Sequence, residues 1–191
     1  MIATDASEAQ LAHATPRPNI EYRVARAEQS GLADASVDLV TVAQALHWLD
    51  RDAFYAEARR VLVPDGVLAV WTYGDASLDD EALATCVHRF ARETVGAYWP
   101  PERRLVREGY RTIAFPFREL TPPPFPLTQE WTLAELAGYL RTWSATARYA
   151  VALGHDPVDT FEAELREHWG DAGAPRTVRW PLALRVGTVR A

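Results

Sequence analysis

The first 74 residues switch periodicity repeatedly, and that alternation restricts the fold more than any other property of the chain. Val37 to Val42 (Val-Asp-Leu-Val-Thr-Val) is a β-branched run of the kind that fills a buried strand. Asp50 then offers an N-cap, and Phe54, Ala58, Val61 and Leu62 recur at helical spacing over Arg51 to Leu62. Pro64-Asp65-Gly66 stops that helix, and Val67 to Thr72 is a further short apolar run. Upstream, Glu8 to Ala14 is helix-compatible and Ile20 to Ala25 reads as a strand. Strand, helix, strand with tight turns calls for a parallel sheet, because parallel neighbours need a crossover.

The rest of the chain is less regular. Asp79 to Thr94 carries Leu83, Val87 and Phe90 on one helical face, and Tyr98-Trp99-Pro100-Pro101 breaks it. Thr132 with Glu135 makes a capping box for a helix running to about Tyr149, with Leu133, Leu136, Leu140 and Trp143 on one side. Asp156-Pro157 opens another helix, with Val158, Phe161, Leu165 and Trp169 in register. From Thr177 to Arg190 apolar and polar positions alternate, which predicts one strand disturbed at Pro181. The expected organisation is a single domain over 1–191: a cofactor half at 1–74, a helical substrate region at 75–175 and a C-terminal strand at 176–191.

Charge and composition close several function classes. Twenty basic groups stand against 26 acidic ones, a formal net charge of -6, which opposes a role that neutralises phosphates along nucleic acid. All of the basic groups are arginine, so chemistry that needs a lysine amine is excluded. The lone Cys86 has no internal disulfide partner, Met1 to Gln10 lacks the features of a signal peptide, and no apolar run is long enough to span a bilayer. The expectation is a cytoplasmic protein without a membrane partner.

Three places could carry chemistry. Asp5 follows the apolar start Met1-Ile2-Ala3, at the carboxyl end of a strand; in doubly wound folds an acid there accepts hydrogen bonds from ribose hydroxyls, and a helix N-cap aspartate looks the same in sequence. Glu28, just beyond the Ile20 strand, reads as a second contact at that sheet edge or as a solvated loop residue. Gln44, His47 and Trp48 follow directly on the Val37 strand, where open α/β sheets bind ligands.

Thr4-Asp5-Ala6-Ser7, Ala27-Glu28, Ser36-Val37-Asp38-Leu39-Val40, Gln44-Ala45-Leu46-His47-Trp48, Arg59 to Leu68 and Thr142-Trp143-Ser144-Ala145, in that order, resemble a class I S-adenosylmethionine-dependent methyltransferase. The nearest branch is the group that includes trans-aconitate methyltransferases. The resemblance implies a Rossmann-like α/β sheet with helices on both faces and an antiparallel C-terminal strand. It also implies S-adenosylmethionine as cofactor, with Asp5 and Ala6 at the ribose, Ala27 and Glu28 against the adenine, and Gln44 beside the methionine moiety. His47 is then the candidate catalytic residue, a base for a hydroxyl acceptor, and Trp48, Tyr98 and Trp99 the candidate substrate residues. A carboxylate acceptor is already ionised near neutrality and needs no base, but wants an arginine to anchor it. No metal is expected: His-x-x-x-His, Cys-x-x-Cys and Gly-x-Ser-x-Gly are all missing.

One departure from the family stands out. Nucleotide-binding sheets of this type place a strand and a glycine-rich turn about 20 residues ahead of the ribose acid. Here four residues precede Asp5, and none of the ten glycines forms Gly-x-Gly. The expected sheet is therefore N-terminally incomplete, with its first strand missing between the second and fourth. Unpaired flanks of that kind are adhesive, so a homodimer through exposed sheet edges is a further expectation. A nicotinamide-dependent oxidoreductase and an inactive methyltransferase-like binding domain are the competing assignments.

Overall fold

A computed structural model describes residues 1–189. In chain order they form β1 (Ile2–Asp5), α1 (Glu8–Leu11), β2 (Glu21–Val24), β3 (Val37–Ala43), α2 (Arg51–Val61), β4 (Leu62–Tyr73), β5 (Ser77–Leu78), α3 (Glu81–Arg89), α4 (Arg103–Arg107), β6 (Arg118–Leu120), β7 (Leu127–Trp131), α5 (Leu133–Arg141), α6 (Ser144–Leu153), α7 (Pro157–Trp169), β8 (Arg176–Trp180) and β9 (Leu182–Thr188). These mixed α/β elements fall into two compact units, each assembled from separate stretches: Met1–Trp71, Ile113–Pro122 and the segment from Leu184 onward, and Thr72–Thr112 with Pro123–Ala183.

In the first unit both sequence-predicted crossovers produce parallel pairs. β1 runs beside β2 from Ile2↔Glu21 to Asp5↔Val24, and β3 beside β4 from Leu39↔Val67 to Ala43↔Trp71. Asp50 caps α2 as its position suggests, its Oδ1 accepting the Ala53 N–H at 3.2 Å. β4 begins at once with Leu62, paired to Val37, so Pro64-Asp65-Gly66 is no separate turn. Asp65 takes a left-handed φ of 63°, and pairing resumes after a register shift at Leu39↔Val67. The extra residues are absorbed as an irregularity within the strand. The larger sheet has the order β3-β4-β9-β6, with β9 and β6 antiparallel. β1 and β2 form a sheet of their own, and no ladder joins β1 to β3 among the described residues.

Phe54, Tyr55, Ala58 and Val61 make the buried side of α2. The Tyr55 ring meets Phe115 at 6.2 Å and Phe117 at 5.8 Å, both edge-on. Arg185 lies 4.6 Å over Phe115 and grips Glu119 through two nitrogens at 2.8 and 3.0 Å. On the same helix Glu57 accepts the Ser30 N–H at 2.8 Å, the Ser30 hydroxyl at 2.6 Å and two Arg60 nitrogens at 2.8 Å. Arg60 first, then Ser30, hold its carboxyl down at about 2 against the opposing effect of burial. A lowered acid favours the folded state above its unfolded pKa and loses that contribution as pH falls, here from about 4.5 toward about 2. Glu57→Gln is therefore expected to cost about 1–2 kcal/mol at neutral pH and little near pH 2, read from denaturation midpoints at the two values. Equal losses at both would contradict it.

The second unit has one contiguous core. Leu83, Val87 and Phe90, then Leu133, Leu136 and Leu140, then Val158, Phe161, Leu165 and Trp169 all enter it, as their helical spacing predicts. Phe90 stacks on Phe161 at 4.4 Å. The capping box at Thr132 and Glu135 is formed in both directions. The helix it starts ends at Arg141 instead of running to Tyr149. Trp143 is extended there (ψ 134°) and is buried with its ring 6.1 Å from Phe90 and 5.8 Å from Tyr139. A continuous helix is given up so that this indole reaches the core. The predicted C-terminal strand is likewise two strands, β8 and β9, in different sheets: β8 sits between β5 and β7, and Pro181 separates it from β9. A residue without an N–H cannot continue a ladder, so the break falls on it. Arg190, the end of that predicted run, lies outside the described residues.

Candidate active site

Asp5 is the last residue of β1, and its side chain is exposed. Oδ1 accepts the Ser7 N–H at 2.8 Å, while the cap of α1 is Ser7, whose hydroxyl accepts the Gln10 N–H at 3.3 Å. The helix-cap role that sequence alone left open for Asp5 thus belongs to its neighbour, and the Asp5 carboxylate stands at the carboxyl end of a parallel strand. Ala6 follows, also exposed. An acid in that position accepts hydroxyl hydrogen bonds in nucleotide-binding sheets.

At the end of β3 the chain turns through a strained residue. Gln44 has a left-handed φ of 53°, and its N–H donates to the Trp71 carbonyl at 2.9 Å. For a residue with a Cβ this conformation costs on the order of 1–2 kcal/mol. The turn leads into a short 3-10 segment, Leu46–Trp48, in which Leu46 and His47 are buried and Trp48 is 55% exposed. The His47 and Trp48 rings meet at 4.7 Å, tilted by 46°. Backbone strain held at the mouth of a parallel strand, beside a buried histidine and an exposed indole, is the pattern of a binding edge.

Ala27 and Glu28 lie in a tight turn closed by a bridge between Arg26 and Gln29. Glu28 reaches the start of α2, accepting the Asp50 N–H at 3.0 Å, and Arg26 Nε lies at 3.4 Å. Burial opposes its ionisation, but its own backbone, the Asp50 amide and Arg26 together hold its pKa below the ordinary value. The carboxylate therefore ties the loop to the helix that follows β3.

Tyr98 and Trp99 belong to the second unit. Tyr98 ends a 3-10 turn with its ring 5.1 Å from Tyr149. Trp99 donates from Nε1 to the Ala91 carbonyl at 2.9 Å and packs 5.3 Å from Trp143. Beside them is a feature absent from the sequence reading: Asp75 pairs with Arg103, and Arg92 and Arg107 approach its other oxygen at 3.6 and 3.5 Å. The Arg103 guanidinium lies 4.3 Å over the Trp99 ring. Only the four-residue spacing of Arg103 and Arg107 hinted at it in sequence. No group of three or more His, Cys, Asp or Glu residues that could hold a metal occurs among the described residues, and no described helix is long and apolar enough to cross a membrane.

Residues 1–70 match the methyltransferase-domain family model. A Dictyostelium discoideum protein assigned as a methyltransferase is 35% identical over 167 residues, covering 86% of this chain and 64% of that protein. A malonyl-[acyl-carrier protein] O-methyltransferase of Methylococcus capsulatus is 33% identical over 132 residues, 62% of this chain and 46% of that one. The chain thus spans less than two thirds of the length of either relative. A solved structure from Anaeromyxobacter dehalogenans, assigned as a type II methyltransferase, is 42% identical and superimposes with a TM-score of 0.90 over 100% of this chain and 81% of its own. The Rossmann-like α/β fold and this similarity along the whole chain make it a member of the class I S-adenosylmethionine-dependent methyltransferases.

Proposed function

We propose that the protein transfers the methyl group of S-adenosylmethionine to a small acceptor bearing a carboxylate. The observation that carries this is the strained turn at Gln44, which sets His47 and Trp48 at the carboxyl end of β3 within the unit whose β1 ends on Asp5. The donor set fits the cofactor: an exposed carboxylate suits a ribose diol, and an exposed indole face suits a sulfonium cation. When bound, S-adenosylmethionine supplies a methyl group on a good leaving group, and in-line displacement gives a methyl ester and S-adenosylhomocysteine.

The chain's own residues bind, orient and exclude water. Asp5 holds the ribose, with Ala6 leaving room beside it. Ala27 and Glu28 border the adenine, and Gln44 fixes the backbone beside the methionine portion. His47, buried and packed against Trp48, sets the angle of that indole and would serve as base for a hydroxyl acceptor; a carboxylate needs none. Tyr98 and Trp99, acceptor candidates from their position in sequence, belong to the second unit. An acceptor of this class is supported by the Methylococcus capsulatus relative, whose name describes O-methylation of a malonyl group.

Two measurements test the proposal. Calorimetric titration with S-adenosylmethionine should show saturable binding in the micromolar range. Incubation with methyl-labelled donor and a set of carboxylic acids should give a product that alkali hydrolyses to labelled methanol. Neither binding nor label would end this assignment. A second reading, an inactive domain that associates through its sheets, is favoured by Leu39 of the edge strand β3, 54% exposed, and Val24 of β2, 58% exposed. It predicts self-association by sedimentation without cofactor binding.

A further inference from the structure

The arginines around Asp75 differ from the ion pairs at Arg141, Arg185 and Arg179. Arg141 faces three acids, Asp156, Asp159 and Glu162, while Arg185 and Arg179 each face one, Glu119 and Asp79. Those arrangements are neutral or acidic. At Asp75 the balance is reversed: Arg92, Arg103 and Arg107 stand against one carboxylate, three positive charges to one negative, a surplus of two. One carboxylate has about four lone-pair sites, and three guanidinium groups carry about fifteen N–H donors, so Asp75 cannot satisfy them.

The cluster is also shaped. Asp75 and Arg103 form its base, each 13% exposed, and Arg107 and Arg92 form an open rim at 30% and 46%. Arg103 is pressed over Trp99, and its Nε is buried with no hydrogen-bond partner among the described residues. Burial pulls the Arg107 pKa down, and after the opposing pull of Asp75 the like charges of Arg92 and Arg103 add to the lowering. Stability alone does not favour three guanidinium groups converging on one acid with a donor left over. A second anion would complete the arrangement. Guanidinium forks match planar carboxylates in pairs, the surplus of two matches a dianion, and the indole of Trp99 offers an apolar wall for the carbon atoms between two carboxylates.

We propose that Arg92, Arg103 and Arg107, held in place by Asp75, form a binding site for a small dicarboxylate. The site lies within the second unit and stands apart from the function proposed above.

The test is calorimetric titration of the whole chain, without cofactor, with succinate, acetate and inorganic phosphate at matched ionic strength. Succinate is expected to bind at least ~10-fold more tightly than acetate or phosphate. The double variant Arg92→Gln/Arg107→Gln, altered only on the exposed rim and checked for an unchanged melting temperature, should weaken succinate at least ~10-fold. Arg104→Gln, on the same helix but paired with Glu108, should leave affinity as it is. Absence of saturable succinate binding, phosphate binding as tightly as succinate, or undiminished affinity in the double variant would each overturn the site. Titration with S-adenosylmethionine is run separately: its failure with succinate binding intact would count against the methyltransferase activity and not against this site.

Discussion

Trp169→Ala is expected to lower the free energy of unfolding by about 3–5 kcal/mol. Trp169 is the last residue of α7, fully buried, and belongs to the same core as Phe161, Leu165 and Val178. Its loss opens a cavity the size of an indole in that core. It also strands the Ala174 carbonyl, which accepts from Trp169 Nε1 at 3.0 Å. The hydrogen bond from Arg176 Nη2 to the Trp169 carbonyl at 2.6 Å involves backbone and survives the change. Denaturant titration of both forms measures the difference. A loss below about 1 kcal/mol would mean that the site collapses around the gap and that its packing is not as described.

The second large effect is on binding. Asp5→Ala should weaken S-adenosylmethionine by about 10-fold to 100-fold, the range expected for a lost hydrogen bond to a charged group, with stability within about 0.5 kcal/mol of the parent. The two readouts separate because the Asp5 side chain is exposed and the helix after it is capped by Ser7. Asp5→Asn can still accept the Ser7 amide while losing the charge, and should fall between parent and alanine. A purely structural Asp5 would give the reverse result, a loss of stability with affinity untouched.

The parts of the fold that were legible in sequence are those fixed by local chemistry. Asp50, Thr132 and Asp156 each cap the helix their position announces, and the β-branched run after Ser36 becomes β3 in parallel with β4. The parts that were not legible depend on distant partners. β6 is three residues long and exists because Gly187 and its neighbours in β9 lie beside it, too short a stretch for any periodicity to reveal. The interruption at Trp143 follows from the packing of one indole, which helical spacing had placed in an uninterrupted helix. The division at Pro181 was signalled, but its consequence, two strands in two sheets, was not. Among the candidate site residues, the strand-end positions of Asp5 and Gln44 to Trp48 were readable because the end of a strand is a position in sequence. The Asp75 cluster was not, since Asp75, Arg92 and the helix carrying Arg103 and Arg107 come from three separate stretches of chain.

The order β3-β4-β9-β6 has a consequence for how the protein is made. Synthesis runs from one end, yet the strand that bridges β4 and β6 is the last of all those described. Until Leu182–Thr188 leaves the ribosome, the free side of β4 has no partner and β6 has nothing to pair with. Completion of this sheet is thus a late, long-range event, slower than the local helices that precede it. During that interval the open side of β4 is the surface on which a nascent chain is most exposed to pairing with a neighbour, and chaperone demand should be concentrated there.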